Sequence, residues 1–135
     1  MKRIVVLAVA VSMLFLTSCH QKSKSELLLE SMPVALVTTD MDGVILSANP
    51  AFQQMLGYST EELNKLNYKD MTPEKWHRIE ADYVNEALNT SIVQFDKEYT
   101  KKDGTIIPIS ITGWVTKDEA GKPIGTGAIV VERRR

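Results

Sequence analysis

The sequence is poor in the residues that build disulfides, metal centres and catalytic triads. Its 135 residues include one cysteine and two histidines. One cysteine excludes an intramolecular disulfide and any metal site with several cysteine ligands. The formal net charge is -1, so the overall charge does not indicate a nucleic-acid-binding protein. Hydrophobic residues make up 44% and charged residues 24%, which is ordinary for a globular chain, and the length favours one domain.

Recognisable catalytic motifs are also missing. His20 directly follows the only cysteine, has no second metal ligand nearby and is interpreted as a linker residue. His77 is then the only histidine left for a catalytic arrangement. No nucleophile elbow, phosphate-binding loop or paired-histidine motif accompanies it. We therefore expect a protein that is not an enzyme.

The first 18 residues have the pattern of an export signal. Lys2 and Arg3 precede an apolar run of about 13 residues, 4–16, which Ser12 alone interrupts. Such a run is shorter than the ~20 residues of a membrane-spanning helix. A basic start followed by an apolar segment of ~7–15 residues is typical of a secretory signal peptide. We predict a signal peptide over residues 1–18.

The segment Leu16-Thr17-Ser18-Cys19 resembles the lipobox of bacterial lipoproteins. In that family the cysteine thiol receives a diacylglyceryl group, and cleavage makes the cysteine the first mature residue. Several acyl chains anchor a protein stably, whereas one chain is marginal. The resemblance implies that Cys19 is a lipidation site and that the protein is exported and lipid-anchored, on the periplasmic or cell-surface side. The alternative is ordinary secretion with an incidental cysteine.

The remaining chain predicts a polar tether, 19–25, and one domain, 26–135. A short helix is expected over 26–31 with Ser25 as its N-cap. A strand should follow at 34–39, and Asp42-Gly43 is a hairpin signal before a return strand at 44–47. Asn49 followed by Pro50 favours the start of a helix over 51–56, and 59–62 has capping-box spacing.

The longest predicted helix runs from 73 to 88, with Thr72 as its N-cap. Its apolar residues fall at helical spacing and predict one buried stripe of Trp76, Ile79, Tyr83 and Ala87. Three strands should follow, at about 93–101, 105–117 and 123–132, joined by turns that contain Gly104 and Gly121. This order predicts an α+β fold, a five-stranded antiparallel sheet with helices packed on one face.

Three blocks in the domain resemble the PAS (sensory box) family. Residues 42–63 match the family pattern D-G-x-I-x-x-x-N-x-A-F-x-x-x-x-G-Y-x-x-x-E-L. Residues 95–105 match its second hairpin around Asp103-Gly104, and residues 121–125 match a third block. The likeness covers about 27–131. At the end the chain departs from the family, because Glu132 replaces the usual aspartate and no Ile-Thr follows.

The resemblance implies a non-catalytic sensory, ligand-binding or protein-interaction module in signal transduction. It also implies a cavity between the sheet and the helices. Strand alternation places Gly113 on the cavity side, where it leaves room for a ligand or marks a bulge, and Trp114 on the opposite face. The candidate lining residues are Met55, Met71, Trp76, Tyr83, Phe95, Ile109 and Ile111. A filled core without any ligand is the competing interpretation.

The ligand and the partners stay open at this stage. One alternative is a haem-binding redox or gas sensor with His77 as the axial ligand, since imidazole is the usual proximal ligand. Photochemistry through a flavin–cysteine adduct is disfavoured because the domain has no cysteine, whereas non-covalent flavin remains an option. A third alternative is a ligand-free dimerisation module. Expected partners are a small molecule, the membrane through the lipid, and a second copy or a membrane signalling protein, but not nucleic acid.

Overall fold

The computed structural model describes residues 21–134, so the predicted signal peptide and Cys19 lie outside the described residues. Four α-helices and five strands follow one another along this part of the chain. In chain order they are α1 (Lys24–Ser31), β1 (Ala35–Asp40), β2 (Ile45–Ala48), α2 (Pro50–Leu56), α3 (Thr60–Leu63), α4 (His77–Asn89), β3 (Val93–Thr100), β4 (Ile106–Lys117) and β5 (Pro123–Glu132). Two 3₁₀ turns, Tyr68–Met71 and Glu74–Trp76, precede α4. Within residues 21–134, no helix is both long and apolar enough to cross a membrane.

The strands form one antiparallel sheet in the order β2-β1-β5-β4-β3. This confirms the predicted α+β fold with five antiparallel strands. Gly43 and Gly104 both have a φ of +88°, the left-handed conformation that glycine adopts without strain. These two glycines therefore close the β1–β2 and β3–β4 hairpins where the sequence indicated turns. The long strand β4 lies between β5 and β3 and pairs with both.

The core lies between the inner face of the sheet and the helices. Its fully buried side chains come from α2, α3 and the strands, and include Phe52, Leu56, Leu63, Ile109 and Val130. The rings of Phe52 and Tyr99 meet edge to face, with centroids 6.1 Å apart. Burial of such side chains contributes about 1.5–3 kcal/mol each to folding. α2 and the sheet are thus held together by ordinary apolar packing.

The N-terminal helix begins earlier than the sequence indicated. α1 starts at Lys24, and its N-cap is Ser23 rather than the predicted Ser25. The Ser23 hydroxyl accepts from the Glu26 backbone N–H, while the Glu26 carboxylate accepts from the Ser23 backbone N–H at 2.7 Å. These two hydrogen bonds form a capping box, which gives partners to two backbone N–H groups at the start of the helix. Glu26 lies three residues after Ser23, as this motif requires, but only one residue after Ser25. The ordered domain therefore extends two residues into the predicted tether.

The predicted long helix is divided, and its buried face differs from the predicted stripe. Thr72 does not cap α4, because its hydroxyl instead donates to the Tyr68 carbonyl at 2.8 Å. Ile79 is 42% exposed, whereas Glu80, one residue later, is 7% exposed. The 3₁₀ turn Glu74–Trp76 has fewer residues per turn than an α-helix, so the side chains after it point in other directions than one continuous helix would give. The apolar spacing counted from Trp76 therefore does not describe the buried face of α4. The buried face of α4 is formed by Glu80 and Ala87.

Candidate functional site

A small cavity lies between α4 and the inner face of the sheet. Its volume is about 60 Å³. A water molecule occupies about 30 Å³ of liquid, so the space corresponds to about two waters. Strands β1, β4 and β5 form its floor, α4 its roof, and two tyrosines its side. The lining residues are Val37, Thr39, Tyr68, Glu80, Val84, Ala87, Tyr99, Ile111, Gly113, Trp114, Thr126, Gly127 and Ala128.

Beside the cavity lies a buried ion pair between Lys97 on β3 and Glu80 on α4. The side chain of Lys97 is 0% exposed, and its Nζ donates to Glu80 Oε1. The same Nζ also donates to the Thr72 hydroxyl at 3.0 Å. It lies over the rings of Tyr99 and Tyr68, at 4.4 and 5.5 Å from their centroids. Burial lowers the pKa of Lys97, and the Glu80 carboxylate opposes this shift.

The second carboxylate oxygen of Glu80 has no partner within the described residues. Glu80 Oε2 is fully buried and makes no hydrogen bond, although the residue lines the cavity. An unsatisfied buried acceptor on a charged group costs about 1–3 kcal/mol or more. Glu80 Oε2 is therefore the one buried side-chain acceptor without a partner among residues 21–134.

Two threonines on the floor of the cavity orient their hydroxyls through each other. Thr39 Oγ1 donates to the carbonyl of Asp40 at 2.8 Å and lies 2.8 Å from Thr126 Oγ1. A threonine hydroxyl has one proton, so Thr126 must donate to Thr39. Neither hydroxyl then has a proton left for the cavity. This end of the cavity presents hydrogen-bond acceptors, like the Glu80 end.

The two tyrosines at the cavity wall are held in their protonated form. Burial, followed by the nearby Glu80 charge, raises the pKa of Tyr68. Tyr99 is buried, and burial, followed by the nearby Glu80 charge, raises its pKa far above the usual value for a phenol. A protonated phenol can donate or accept a hydrogen bond. The tyrosines thus add two neutral polar groups beside an ion pair whose charges cancel.

Of the seven predicted lining residues, the structure places only Ile111 at this cavity. Met71 and Ile109 are buried in the core, and Met55 packs against it. Tyr83 stacks on Phe95 at the α4–β3 edge, with ring centroids 4.2 Å apart. Trp76 Nε1 donates to Glu98 Oε2 at 3.3 Å. Ligand contact by the other six residues stays a prediction, and none of them lines this cavity. Gly113 does line it, and the sheet has no bulge there.

His77 lies outside the cavity and is already engaged. Its Nε2 is 2.8 Å from the Thr72 carbonyl and 3.2 Å from the Lys69 carbonyl. A carbonyl only accepts, so Nε2 donates in these bonds and cannot bind iron while it makes them. Haem and flavin also do not fit the cavity, since even drug-sized ligands need pockets of about 300–1,000 Å³. Within residues 21–134, no cluster of three or more metal-ligating side chains occurs.

Sequence reasoning missed Glu80, Lys97, Thr39 and Thr126. The signal for Lys97 was present, because strand alternation places it on the same face as Phe95 and Tyr99. Glu80 likewise lies seven residues before Ala87, which places the two on one face of α4. A charged residue is rarely buried, so neither position indicates an interior side chain when it is considered alone. Only the pairing of the two across β3 and α4 makes their burial tolerable.

Comparison with known proteins supports the architecture. A family model described as the PAS fold matches residues 29–135. The sensor histidine kinase TmoS of Ectopseudomonas mendocina is 36% identical over 80 residues, which cover 58% of this chain and 8% of the kinase. The chain therefore spans less than a tenth of that relative's length.

Solved structures show the same fold. The PAS domain of a protein from Colwellia psychrerythraea superposes with a TM-score of 0.75 at 19% identity, covering 81% of this chain and 93% of that one. A PAS domain from a two-component sensor histidine kinase superposes with a TM-score of 0.66 at 18% identity, with the same coverage of 81% and 93%. The family predicted from the sequence blocks is thereby confirmed. The chain belongs to the PAS fold family and is a sensory module of the kind used in signal transduction.

Proposed function

We propose that this domain is a non-catalytic sensor that binds a small molecule in the cavity between α4 and the sheet. The observation that carries the proposal is the open space between α4 and the sheet, beside the buried Lys97–Glu80 pair. A ligand there would lie between α4, which carries Glu80, and the sheet, which carries its partner Lys97. A ligand that binds one packing of α4 on the sheet more tightly than another shifts the population between them. The relay from ligand to signal is therefore the packing of α4 on the sheet.

A cavity-filling variant tests this proposal. A Cβ added at Gly113 would meet no atom nearer than 3.6 Å, so Gly113→Ala fits the fold while it reduces the open volume. A ligand that binds only the folded protein raises its thermal midpoint by mass action. We expect a library of small polar molecules to contain compounds that stabilise the wild-type chain but not Gly113→Ala. A library in which no compound distinguishes the two proteins would contradict ligand sensing at this cavity.

We also propose that the module is exported and tethered to a bacterial membrane through Cys19. The support is the sequence pattern alone: a basic start, an apolar run and Leu-Thr-Ser before the cysteine. In the bacterial host, radioactive palmitate should label the chain, and Cys19→Ala should remove the label. Unlabelled wild-type protein in the soluble fraction would contradict the tether.

A ligand-free interaction module is the second candidate, because α1 has no buried residue. Its three consecutive leucines, Leu27, Leu28 and Leu29, are between 41% and 58% exposed. Leucines of this exposure at the start of a domain suit a contact with a second copy or a membrane signalling protein. Native mass spectrometry should show a dimer that Leu28→Gln weakens if this candidate holds. A monomer at all concentrations would exclude self-association.

A further inference from the structure

We infer that α4 is a lid over the cavity, which opens from the sheet as a unit while the core stays folded and which the Lys97–Glu80 pair holds closed. The opening is a property of the packing, whereas its use to admit a small molecule rests on the proposed sensing function. The inference follows from three observations: how little α4 contributes to the core, how its ends are joined to the chain, and what holds it on the sheet.

α4 lies outside the main apolar core. Within residues 21–134, the cluster of buried apolar side chains draws on α2, α3 and all five strands, but no residue of α4 belongs to it. The buried residues of α4 are Glu80 and Ala87, and both line the open space below the helix. Tyr83 adds a stacked contact with Phe95 at the edge of the sheet. A segment with few buried apolar contacts opens locally at a lower free-energy cost than the whole domain unfolds.

The two ends of α4 suit a hinge. The 3₁₀ turn Glu74–Trp76 leads into the helix, and the N-cap position is taken by Trp76, whose indole has no acceptor for the free backbone N–H groups. The helix ends at Thr90, which is extended, and Thr90, Ser91 and Ile92 are all exposed. Hinges are a few residues at the ends of elements that absorb changes in the backbone angles. α4 is therefore joined to the rest of the domain by short segments that permit its rotation.

An ion pair, rather than apolar packing, joins the first half of α4 to the sheet. Lys97 Nζ donates to Glu80 Oε1 and to the Thr72 hydroxyl at 3.0 Å. The free-energy cost of removing two ions from water offsets much of their attraction, so an intact buried pair stabilises little in net terms. Glu80 Oε2 has no partner within the described residues while the lid is closed. Opening brings both ions and this oxygen into water and regains their hydration, which lowers the cost of opening.

Hydrogen exchange on the full chain, followed residue by residue by NMR, tests the inference. In the wild type, the amides of residues 82–88 should exchange at least about tenfold faster than those of Ile109 and Ile111 in the core strand β4. Their exchange should also depend less on urea, because opening of the lid exposes less surface than unfolding of the domain. Exchange of both sets at one rate with one urea dependence would contradict the lid.

A core variant separates opening of the lid from unfolding of the domain. Ile45 is 1% exposed and lies on β2, at the opposite edge of the sheet from β3. Ile45→Val removes a buried methyl group, so it should speed exchange in β4 several-fold and leave the amides of 82–88 unchanged. Equal acceleration of the two sets would overturn the inference, because α4 would then open only together with the whole domain.

A second pair of variants tests the role of the ion pair. Lys97→Met leaves the Glu80 carboxylate without its cation in the closed lid, so exchange of 82–88 should accelerate at least about tenfold. The matched control Lys102→Met removes a lysine from an exposed ion pair and should leave this exchange nearly unchanged. If Lys97→Met fails to fold, Thr72→Val removes the hydroxyl that accepts from Lys97 and should accelerate the same amides several-fold. Unchanged exchange in the variant that folds would show that α4 opens without breaking the pair, against the inference.

Failure of the lid and failure of ligand sensing give different results. Suppose that a compound stabilises the wild type but not Gly113→Ala, while the amides of 82–88 exchange only by global unfolding. Ligand sensing then stands and the lid is wrong. Independent opening of α4 in a protein that no compound stabilises would leave the lid in place and contradict the sensing function.

Discussion

At the scale of single residues, the most unusual feature is a lysine side chain without solvent contact. Lys97 lies on the inner face of the edge strand β3, where an apolar residue would ordinarily pack. Its charge is offset by Glu80 and its N–H groups point to Thr72 and to aromatic rings. An inward-pointing charge also discourages an edge strand from pairing with other chains. Lys97 thus pairs with Glu80 beside the cavity and also protects the edge of the sheet from pairing with another chain.

Removing Lys97 should strongly destabilise the domain. Lys97→Met retains a chain of similar length but leaves the Glu80 charge buried and unpaired, which costs about 3–5 kcal/mol. Urea unfolding measures this loss. The matched control is Lys102→Met, which breaks an exposed pair with Glu62 of 2.6 Å and should change stability far less. The double variant Lys97→Met/Glu80→Leu should recover most of the loss, and a double variant as unstable as the single one would contradict the pairing argument.

Tyr99 should make the domain sensitive to alkali. Its pKa is raised in the folded state by burial and by the Glu80 charge. The unfolded chain ionises this phenol above pH ~10, while the folded chain keeps its proton, so stability is lost as pH rises. Burial acts in the opposite direction at Lys97, whose pKa is lowered, but this contribution is common to wild type and Tyr99→Phe.

The difference between wild type and Tyr99→Phe therefore isolates the phenol. Thermal midpoints measured from pH 7 to pH 11 should fall less above pH ~10 in Tyr99→Phe than in wild type. Below pH 9 the difference between the two proteins should be constant, which serves as the control. Parallel curves up to pH 11 would show that Tyr99 ionises equally in the folded and unfolded states.

At the scale of secondary-structure elements, Asn49 joins three segments. Its Oδ1 accepts from Phe52 N–H at 3.1 Å and so caps α2, and it also accepts from Leu36 N–H at 2.9 Å. Its Nδ2 donates to the carbonyl of Val34 at 2.8 Å and to that of Leu29 at 3.2 Å. One amide therefore satisfies backbone groups of α1, β1 and α2. The sequence indicated the cap, and the structure adds the links to the other two segments.

Asn49→Ala should accordingly cost more than the loss of a simple cap. Loss of an N-cap costs about 1 kcal/mol, and buried backbone groups left without partners cost about 1–3 kcal/mol more. We expect a total of about 2–4 kcal/mol in chemical denaturation. Ser59→Ala is the control, because Ser59 only caps α3 and its loss should cost about 1 kcal/mol. Equal losses in the two variants would show that Asn49 acts only as a cap.

At the scale of the whole molecule, the part of the domain least supported by packing is its N-terminal helix. No residue of α1 is buried. The Asn49 side chain, which donates to the Leu29 carbonyl at 3.2 Å, links it to the start of α2. An isolated helix of eight residues is marginal in water. α1 is therefore the helix that a partner can rearrange at the lowest free-energy cost.

Hydrogen exchange should show that α1 opens more readily than the helices that pack on the core. The amides of α1 should exchange much faster than those of α2, whose Phe52 and Leu56 are in the core. The measurement is made at several protein concentrations by mass spectrometry. Exchange in α2 serves as the internal control for global unfolding. Protection of α1 equal to that of α2, lost on dilution, would show instead that a second copy covers the leucines.

The sequence by itself determined the family, the sheet and most element boundaries, because these depend on local signals. Asn49-Pro50 starts α2, Asp42-Gly43 and Asp103-Gly104 close the hairpins, and the alternation of β4 predicts its inner face. Each signal acts within a few residues through caps, glycine φ angles and the period of two of a strand. Predictions of this kind were confirmed wherever the described residues contain them, apart from the shifted start of α1 and the divided α4.

Only the tertiary structure decided where open space and buried charge lie. The rotation of α4 after its 3₁₀ turn exposes Ile79 and buries Glu80, and this buried charge is tolerable only because Lys97 arrives from β3. Likewise, the cavity exists because Gly113 and Ala128 lie side by side under α4, a coincidence of register between strands far apart in sequence. Volume and charge compensation depend on pairs of residues brought together by the fold, and a single segment carries no information about its partner.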